Sequence, residues 1–317
     1  MKSVLLSGLS VLALAGTATA ADLGDTGTPI RLAINEWTGQ HLTTHVAGQI
    51  LEQAGYTVEY VTAGYYNMYP AIGEGEIHAA LEVWDSNVPD LYYDVLDDGG
   101  VVELGDLGLT AREGFAYPAH VEEICPGLPA WEALNDCAMQ FATAETIPQG
   151  RLIDYPADWG TPGAERAAGL ELPFRAVPAG SEGALIAELR ASTERGTPLL
   201  MVFWQPHWAV SAYDVRFVDL PPGTPECYED ASVGPNPNAT SDCDFLPTRV
   251  FKITWSGFAD QWPAAAEILT AYQMMTEDQQ PMMGMVDNDG MSVEEVAAAY
   301  VADHADAISA MIAAATE

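Results

Sequence analysis

The sequence predicts an α/β protein of two lobes, each a doubly wound and mainly parallel sheet, with a ligand cleft between them. Three observations predict it. Short β-rich runs alternate with helical runs along most of the chain, as in parallel sheets covered by helices. The length of 317 residues, 49% of them hydrophobic, suits two compact domains with real cores. Tryptophans fall at the ends of predicted strands, where open α/β sheets place their ligands.

Residues 1–20 read as a removed secretory signal: Lys2, an apolar run from Val4 to Gly16, then Ala18-Thr19-Ala20 before Ala21. The run is shorter than the about 20 residues that span a bilayer. No cysteine follows the cleavage site to carry a lipid anchor, so an exported, periplasmic protein is expected.

In the mature chain Ile30–Ile34 reads as a strand, and Thr38 as the cap of a helix from about Gly39 to Ala54, stopped by Gly55. Thr57–Thr62 follows as a strand, Tyr66–Glu74 as a helix, Ala79–Val83 as a strand, Pro89–Asp97 as a helix and Val101–Leu104 as extended chain. Further on, Gly183–Arg195 is amphipathic, Leu199–Trp204 is a buried strand, and Pro263–Tyr272 and Val293–Ala314 are alanine-rich helices. The expected division is lobe one over residues 21–110 and 219–317, and lobe two over 111–218. The crossings are expected near Thr110–Glu113 and Arg216–Leu220.

Charge excludes whole classes of partner. Forty-six Asp and Glu stand against 11 Lys and Arg, a formal net charge of −35, and only Lys2 and Lys252 are lysines. Such a surface repels phosphate backbones and anionic lipid, so no nucleic-acid partner is expected. It stays hydrated in high salt. Four cysteines suit an oxidising compartment, and of three possible pairings the sequence neighbours suggest Cys125–Cys137 and Cys227–Cys243. On the chain-entropy estimate each closure stabilises by about 3 kcal/mol.

Trp37 follows the first strand, Trp84 ends the third, Trp159 lies in the loop Asp154–Thr161, and Trp204 ends the strand before Gln205-Pro206-His207-Trp208. Single tryptophans at strand ends usually pack in cores. Four at equivalent topological positions point to an aromatic cage. A trimethylammonium head has no N–H to donate, so π-faces grip it better than a carboxylate does, each face giving about 0.5–2 kcal/mol once desolvated.

The runs Gly75-Glu76-Ile77-His78-Ala79-Ala80-Leu81-Glu82-Val83-Trp84, Trp159-Gly160-Thr161 and Pro198-Leu199-Leu200-Met201-Val202-Phe203-Trp204-Gln205-Pro206-His207-Trp208 resemble the glycine betaine/proline betaine class of ABC-transporter substrate-binding proteins. The resemblance covers most of residues 28–312. It implies a type II periplasmic-binding-protein fold that closes on a small osmolyte and docks on a permease with its ATPase, as a monomer. It implies too that Trp84, Trp159 and Trp204 box the quaternary amine, while the amides of Gly160 and Thr161 take the anionic end. Trp37 is an additional wall, with Trp208 as an outer one. A histidine sometimes found after the first box tryptophan is missing around Asp85–Val88. Glu113, where the chain crosses between lobes, either faces the pocket or forms a hinge ion pair with Arg112 or Arg151. A protonated Glu113 would donate to an N-oxide oxygen, whereas an ionised one would repel a ligand carboxylate. Four tryptophans and a pocket glutamate resemble the trimethylamine N-oxide binders of the family. That ligand is therefore expected slightly ahead of glycine betaine or dimethylsulfoniopropionate.

Other constellations are weaker. His41 and His45 have a metal-binding spacing but lack the following Glu of the zinc-protease pattern. Asp287-Asn288-Asp289-Gly290 opens like a calcium loop, but Ser292 and Glu295 explain it better as a helix start. The Cys227–Cys243 loop, with Glu229, Asp230, Asn236 and Asp242, is the one candidate calcium site; no other cofactor is expected. Nucleophile-elbow and phosphate-loop motifs are missing, so the protein is read as a non-enzyme. The competing reading is a secreted hydrolase with an aromatic sugar platform and a carboxylate pair.

Overall fold

The computed structural model describes residues 23–316, so the expected signal segment lies outside the described residues. Eleven strands are present among them: β1 (Ile30–Ile34), β2 (Val58–Thr62), β3 (Ala79–Trp84), β4 (Val101–Asp106), β5 (Arg112–Pro118), β6 (Pro126–Pro129), β7 (Gly150–Asp154), β8 (Phe174–Pro178), β9 (Leu200–Gln205), β10 (Val215–Phe217) and β11 (Val250–Trp255). Ten of them build two five-stranded sheets, ordered β2-β1-β3-β11-β4 and β10-β5-β9-β7-β8. The chain passes from the first sheet to the second between β4 and β5, and returns between β10 and β11.

Each sheet is mixed. The β1–β2 and β1–β3 pairings are parallel, while β11 enters antiparallel between β3 and β4. In the second sheet β7 pairs in parallel with β8 and β9, whereas β5 lies antiparallel to β9 and β10. Parallel pairing therefore holds only where a helical crossover joins the strands. A strand arriving from the other sheet enters the opposite way. Central β3 is buried at all six positions, which accounts for its uninterrupted hydrophobic run apart from Glu82.

Several local readings change. Trp37, not Thr38, is the N-cap residue of the first helix, Thr38–Gln53, and it makes no side-chain cap bond. The alanine-rich C-terminal run is two helices, Val293–Asp303 and Ala305–Thr316, parted at His304. Ser292 and Glu295 form the expected capping box. The preceding helix Thr276–Asp287, which contains Pro281, gave no sequence signal. Lys252 is fully buried on β11. Its Nζ donates to the carbonyls of Leu269, Thr270 and Tyr272 at 2.8, 3.0 and 2.5 Å. A cation thus meets the carbonyl end of the helix Pro263–Ala271 and ties it to the sheet.

Cys125 pairs with Cys137 and Cys227 with Cys243, their Cα atoms 5.4 and 6.7 Å apart. In the second loop Asp242 is buried and accepts from the Asn236 amide at 2.5 Å, while Asp230 accepts from Ser232. Asp242 groups with the two paired cysteines rather than with Glu229 or Asp230. His41 bonds the Asn35 carbonyl, and His45 stacks on Tyr60 with ring centroids 4.0 Å apart, so neither faces a shared metal position.

Candidate ligand-binding site

Side chains at strand ends and in adjoining turns of both sheets line a cavity with about 340 Å³ of space between atoms, open solvent included. Its lining is Trp37, Tyr65, Trp84, Asn87, Glu113, Tyr155, Trp159 and Trp204. Four of the predicted cage residues and Glu113 are therefore assembled in one place. Trp84 arrives on the end of β3, Trp204 on β9, Trp37 at the mouth of the first helix and Trp159 on a single 3-10 turn, Ala157–Trp159. The four tryptophans are between 4% and 7% exposed, so a cation among them would be stripped of water.

The rings meet edge to face. Trp37 lies 5.2 Å from Trp159 across the cleft and 5.6 Å from Tyr65. Trp159 lies 5.8 Å from Trp204, and Tyr155 touches both at 5.9 and 5.7 Å. Edge-to-face contacts leave faces free to turn toward a guest.

Behind the first-sheet wall sits a carboxylate that the sequence reading passed over. Glu82 is 1% exposed, and its Oε1 accepts from Trp37 Nε1 at 2.8 Å and from Trp84 Nε1 at 3.2 Å. Its Oε2 accepts from Thr43 Oγ1 at 2.8 Å and Gln279 Nε2 at 2.7 Å. Burial raises the Glu82 pKa, and the four hydrogen bonds oppose that rise. The available signal was its place two residues before Trp84, which puts both side chains on one side of the strand.

Glu113 is 2% exposed and does not pair with Arg112 or Arg151. Arg112 lies over the Phe217 ring and Arg151 bonds Glu188, so the hinge-ion-pair reading is set aside. Glu113 Oε1 instead accepts from Asn87 Nδ2 at 2.8 Å and Tyr155 Oη at 2.9 Å. Ser86 Oγ bonds Oε2, which Thr248 Oγ1 also reaches at 3.3 Å. Burial, and then the Glu113 charge, hold the Tyr155 phenol protonated as a donor.

Three expected contacts lie elsewhere. Gly160 and Thr161 are not in the lining. Gly160 has a left-handed φ of +100°, and a Cβ there would come within 2.9 Å of the Tyr66 hydroxyl. The N-terminal amides of the helix Pro162–Gly169 are occupied by the protein itself: Asp154 accepts from Gly163 N at 3.1 Å and Ala164 N at 2.8 Å. Asp154 thus takes the amides of Gly163 and Ala164, two and three residues beyond Thr161. Trp208 is outside the cavity and donates to Asp287 Oδ2 at 2.7 Å. Asp287 Oδ1 accepts from Thr38 Oγ1 at 2.6 Å, and Glu182 Oε2 accepts from the Thr38 amide at 2.8 Å. These bonds join elements of the two sheets at the cleft rim. His207 Nδ1 accepts from Ala209 N, so its ring proton sits on Nε2 and points at Glu182 Oε1, 3.2 Å away. That tautomer has no lone pair for a metal beside Glu182 and Asp287.

Residues 28–303 match the family described as the substrate binding domain of ABC-type glycine betaine transport systems. The chain is 32% identical over 303 residues to the trimethylamine N-oxide-binding protein of Pelagibacter ubique, covering 93% of each chain. In fold it is similar to lactococcal OpuAC in a closed complex with glycine betaine, with a TM-score of 0.71 and 16% identity, over 90% of this chain and 99% of that one. It is similar also to an ABC-transporter choline-binding protein in complex with choline, with a TM-score of 0.72 and 18% identity, over 90% and 92%.

Proposed function

The chain belongs to the family of substrate-binding domains of ABC-type glycine betaine transport systems, and from that premise we propose that it captures trimethylamine N-oxide in a cage of Trp37, Trp84, Trp159 and Trp204. As a family member it is the binding component of an ABC transporter for osmolytes of the betaine, choline and trimethylamine N-oxide type, not an enzyme. The hydrolase alternative is therefore withdrawn.

One observation carries the choice of ligand: the sole charged side chain in the cavity lining is Glu113, and it is an acid. A betaine carboxylate would meet no cation there and would be repelled by Glu113. An N-oxide oxygen is a compact base, so one proton shared between it and Glu113 satisfies both groups, with Asn87 and Tyr155 as neighbouring donors. The methyl groups would face the four indoles, worth together about 2–8 kcal/mol before the costs of binding. In this reading residues 21–110 and 219–317 form one lobe and 111–218 the other. They close around the ligand, and the permease with its ATPase reads the closed state. The chain would work in the periplasm after loss of residues 1–20.

Titration calorimetry of the chain from Ala21 to Glu317 tests this against trimethylamine N-oxide, glycine betaine, dimethylsulfoniopropionate and choline. The expected result is affinity of about micromolar or tighter for trimethylamine N-oxide. Tighter binding of glycine betaine, or silence from all four, overturns it.

A further inference from the structure

We propose that Glu82 is a positioning residue for ligand capture: from behind the wall it sets the orientation of Trp37 and Trp84, and through them the fit of the cage to an onium head. The inference rests on the cage reading above and adds to it a residue that does not line the cavity.

The geometry makes the case. Both indole N–H groups converge on one oxygen, Glu82 Oε1, so the two rings are set relative to a common point. The backbone of Trp84 is already held, because the Tyr65 hydroxyl accepts from Trp84 N at 3.0 Å and donates to Trp84 O at 3.1 Å. What remains free in Trp84 is rotation about its side-chain bonds, and the Glu82 bond removes that freedom. Trp37 stands at the extended entry of the first helix (φ −123°, ψ 147°), with no cap bond of its own, so its ring depends still more on the shared acceptor.

The carboxylate is in turn fixed from outside the sheet. Gln279 Nε2 donates to Glu82 Oε2, to Thr43 Oγ1 at 3.0 Å and to the Gly39 carbonyl at 3.2 Å. Each oxygen of Glu82 thus receives two donors, which is what allows an acid to stay buried here. Bonds from indole N–H to a carboxylate are charge-assisted and stronger than bonds between neutral groups. The rings are consequently set before ligand arrives, and little ordering entropy remains to be lost on binding.

The test compares the mature chain with Glu82→Gln and Glu82→Leu, using trimethylamine N-oxide as the probe and ¹⁵N-labelled indoles as the second readout. Gln keeps an oxygen that can accept from both indoles, whereas Leu keeps none. Wild-type Trp37 and Trp84 indole protons should exchange slowly with solvent and shift in Glu82→Leu. Affinity should fall more than about 30-fold in Glu82→Leu and recover to within about fivefold of wild type in Glu82→Gln. A folded Glu82→Leu that binds within about threefold of wild type overturns the proposal, as does a Glu82→Gln no better than Leu. Should Glu82→Leu not fold, the wild-type indoles decide together with Glu82→Gln: fast exchange at Trp37 and Trp84 sinks the idea. If wild type binds none of the four osmolytes while Glu82→Leu still moves those two resonances, the ligand reading fails and the positioning role stands.

Discussion

On the first-sheet side of the cavity, Trp37 and Trp84 both give their indole N–H groups to the buried Glu82. On the second-sheet side, Trp159 Nε1 is buried without a partner, and Trp159 and Trp204 are held by ring contacts with Tyr155 and with each other. A hydrogen bond to a fixed acceptor sets a ring's rotation, while edge-to-face contact sets mainly its distance. The two walls therefore differ in what fixes their rings. Glu113 belongs to the second sheet, yet it takes Ser86 and Asn87 from the first, so the polar end of the site is assembled from both.

The contrast can be broken in four ways. Trp84→Ala removes a face and deprives Glu82 of a donor. Affinity for trimethylamine N-oxide should drop at least about tenfold, and more than in Trp204→Ala, with the circular-dichroism melt largely kept. Equal losses would make the walls equivalent. Glu113→Gln should weaken trimethylamine N-oxide by about tenfold and strengthen glycine betaine, because the repulsion of a carboxylate is gone. Parallel calorimetry with both ligands checks the opposite signs.

Replacing indole by phenyl sharpens the comparison. Trp37→Phe loses the bond to Glu82 and should cost about fivefold, whereas Trp159→Phe loses only an unbonded N–H and should cost less than about twofold. The reverse order would mean that the unpaired N–H of Trp159 meets the ligand. The smallest effect is on stability against pH. Burial raises the folded pKa of Glu82 above its ordinary 4.5. Its contribution is therefore fully present below that value and is lost as pH rises through the raised pKa. Melting of ligand-free Glu82→Gln relative to wild type should thus improve as pH rises from 4.5, and a gap that does not change with pH would contradict it.

Much of this site was legible because its parts are local. Trp84 and Trp204 lie at the ends of apolar strands whose alternation with helices shows where a sheet terminates, and both paired cysteines were sequence neighbours. The misreadings have a common cause. Thr38 looks like a helix cap, but its hydroxyl and amide serve Glu182 and Asp287, 144 and 249 residues away. Trp208 sits in the same run as Trp204, yet beyond the cis Gln205–Pro206 bond it bonds Asp287 rather than lining the cavity. Gly160 and Thr161 precede a helix start whose Gly163 and Ala164 amides go to Asp154, and neither residue lines the cavity.

The α/β class and the four tryptophans at strand ends could be read along the chain, since hydrophobic period and residue chemistry act over a few neighbours, whereas Glu113 stayed open between the pocket and a hinge ion pair. Which of them share a cavity, and what holds them there, was decided only in three dimensions. Gln279 reaches Glu82 across 197 residues, and Glu113 collects donors from positions 86, 87, 155 and 248. A buried polar group must find its partners wherever packing brings them, and no pattern along the chain records that distance.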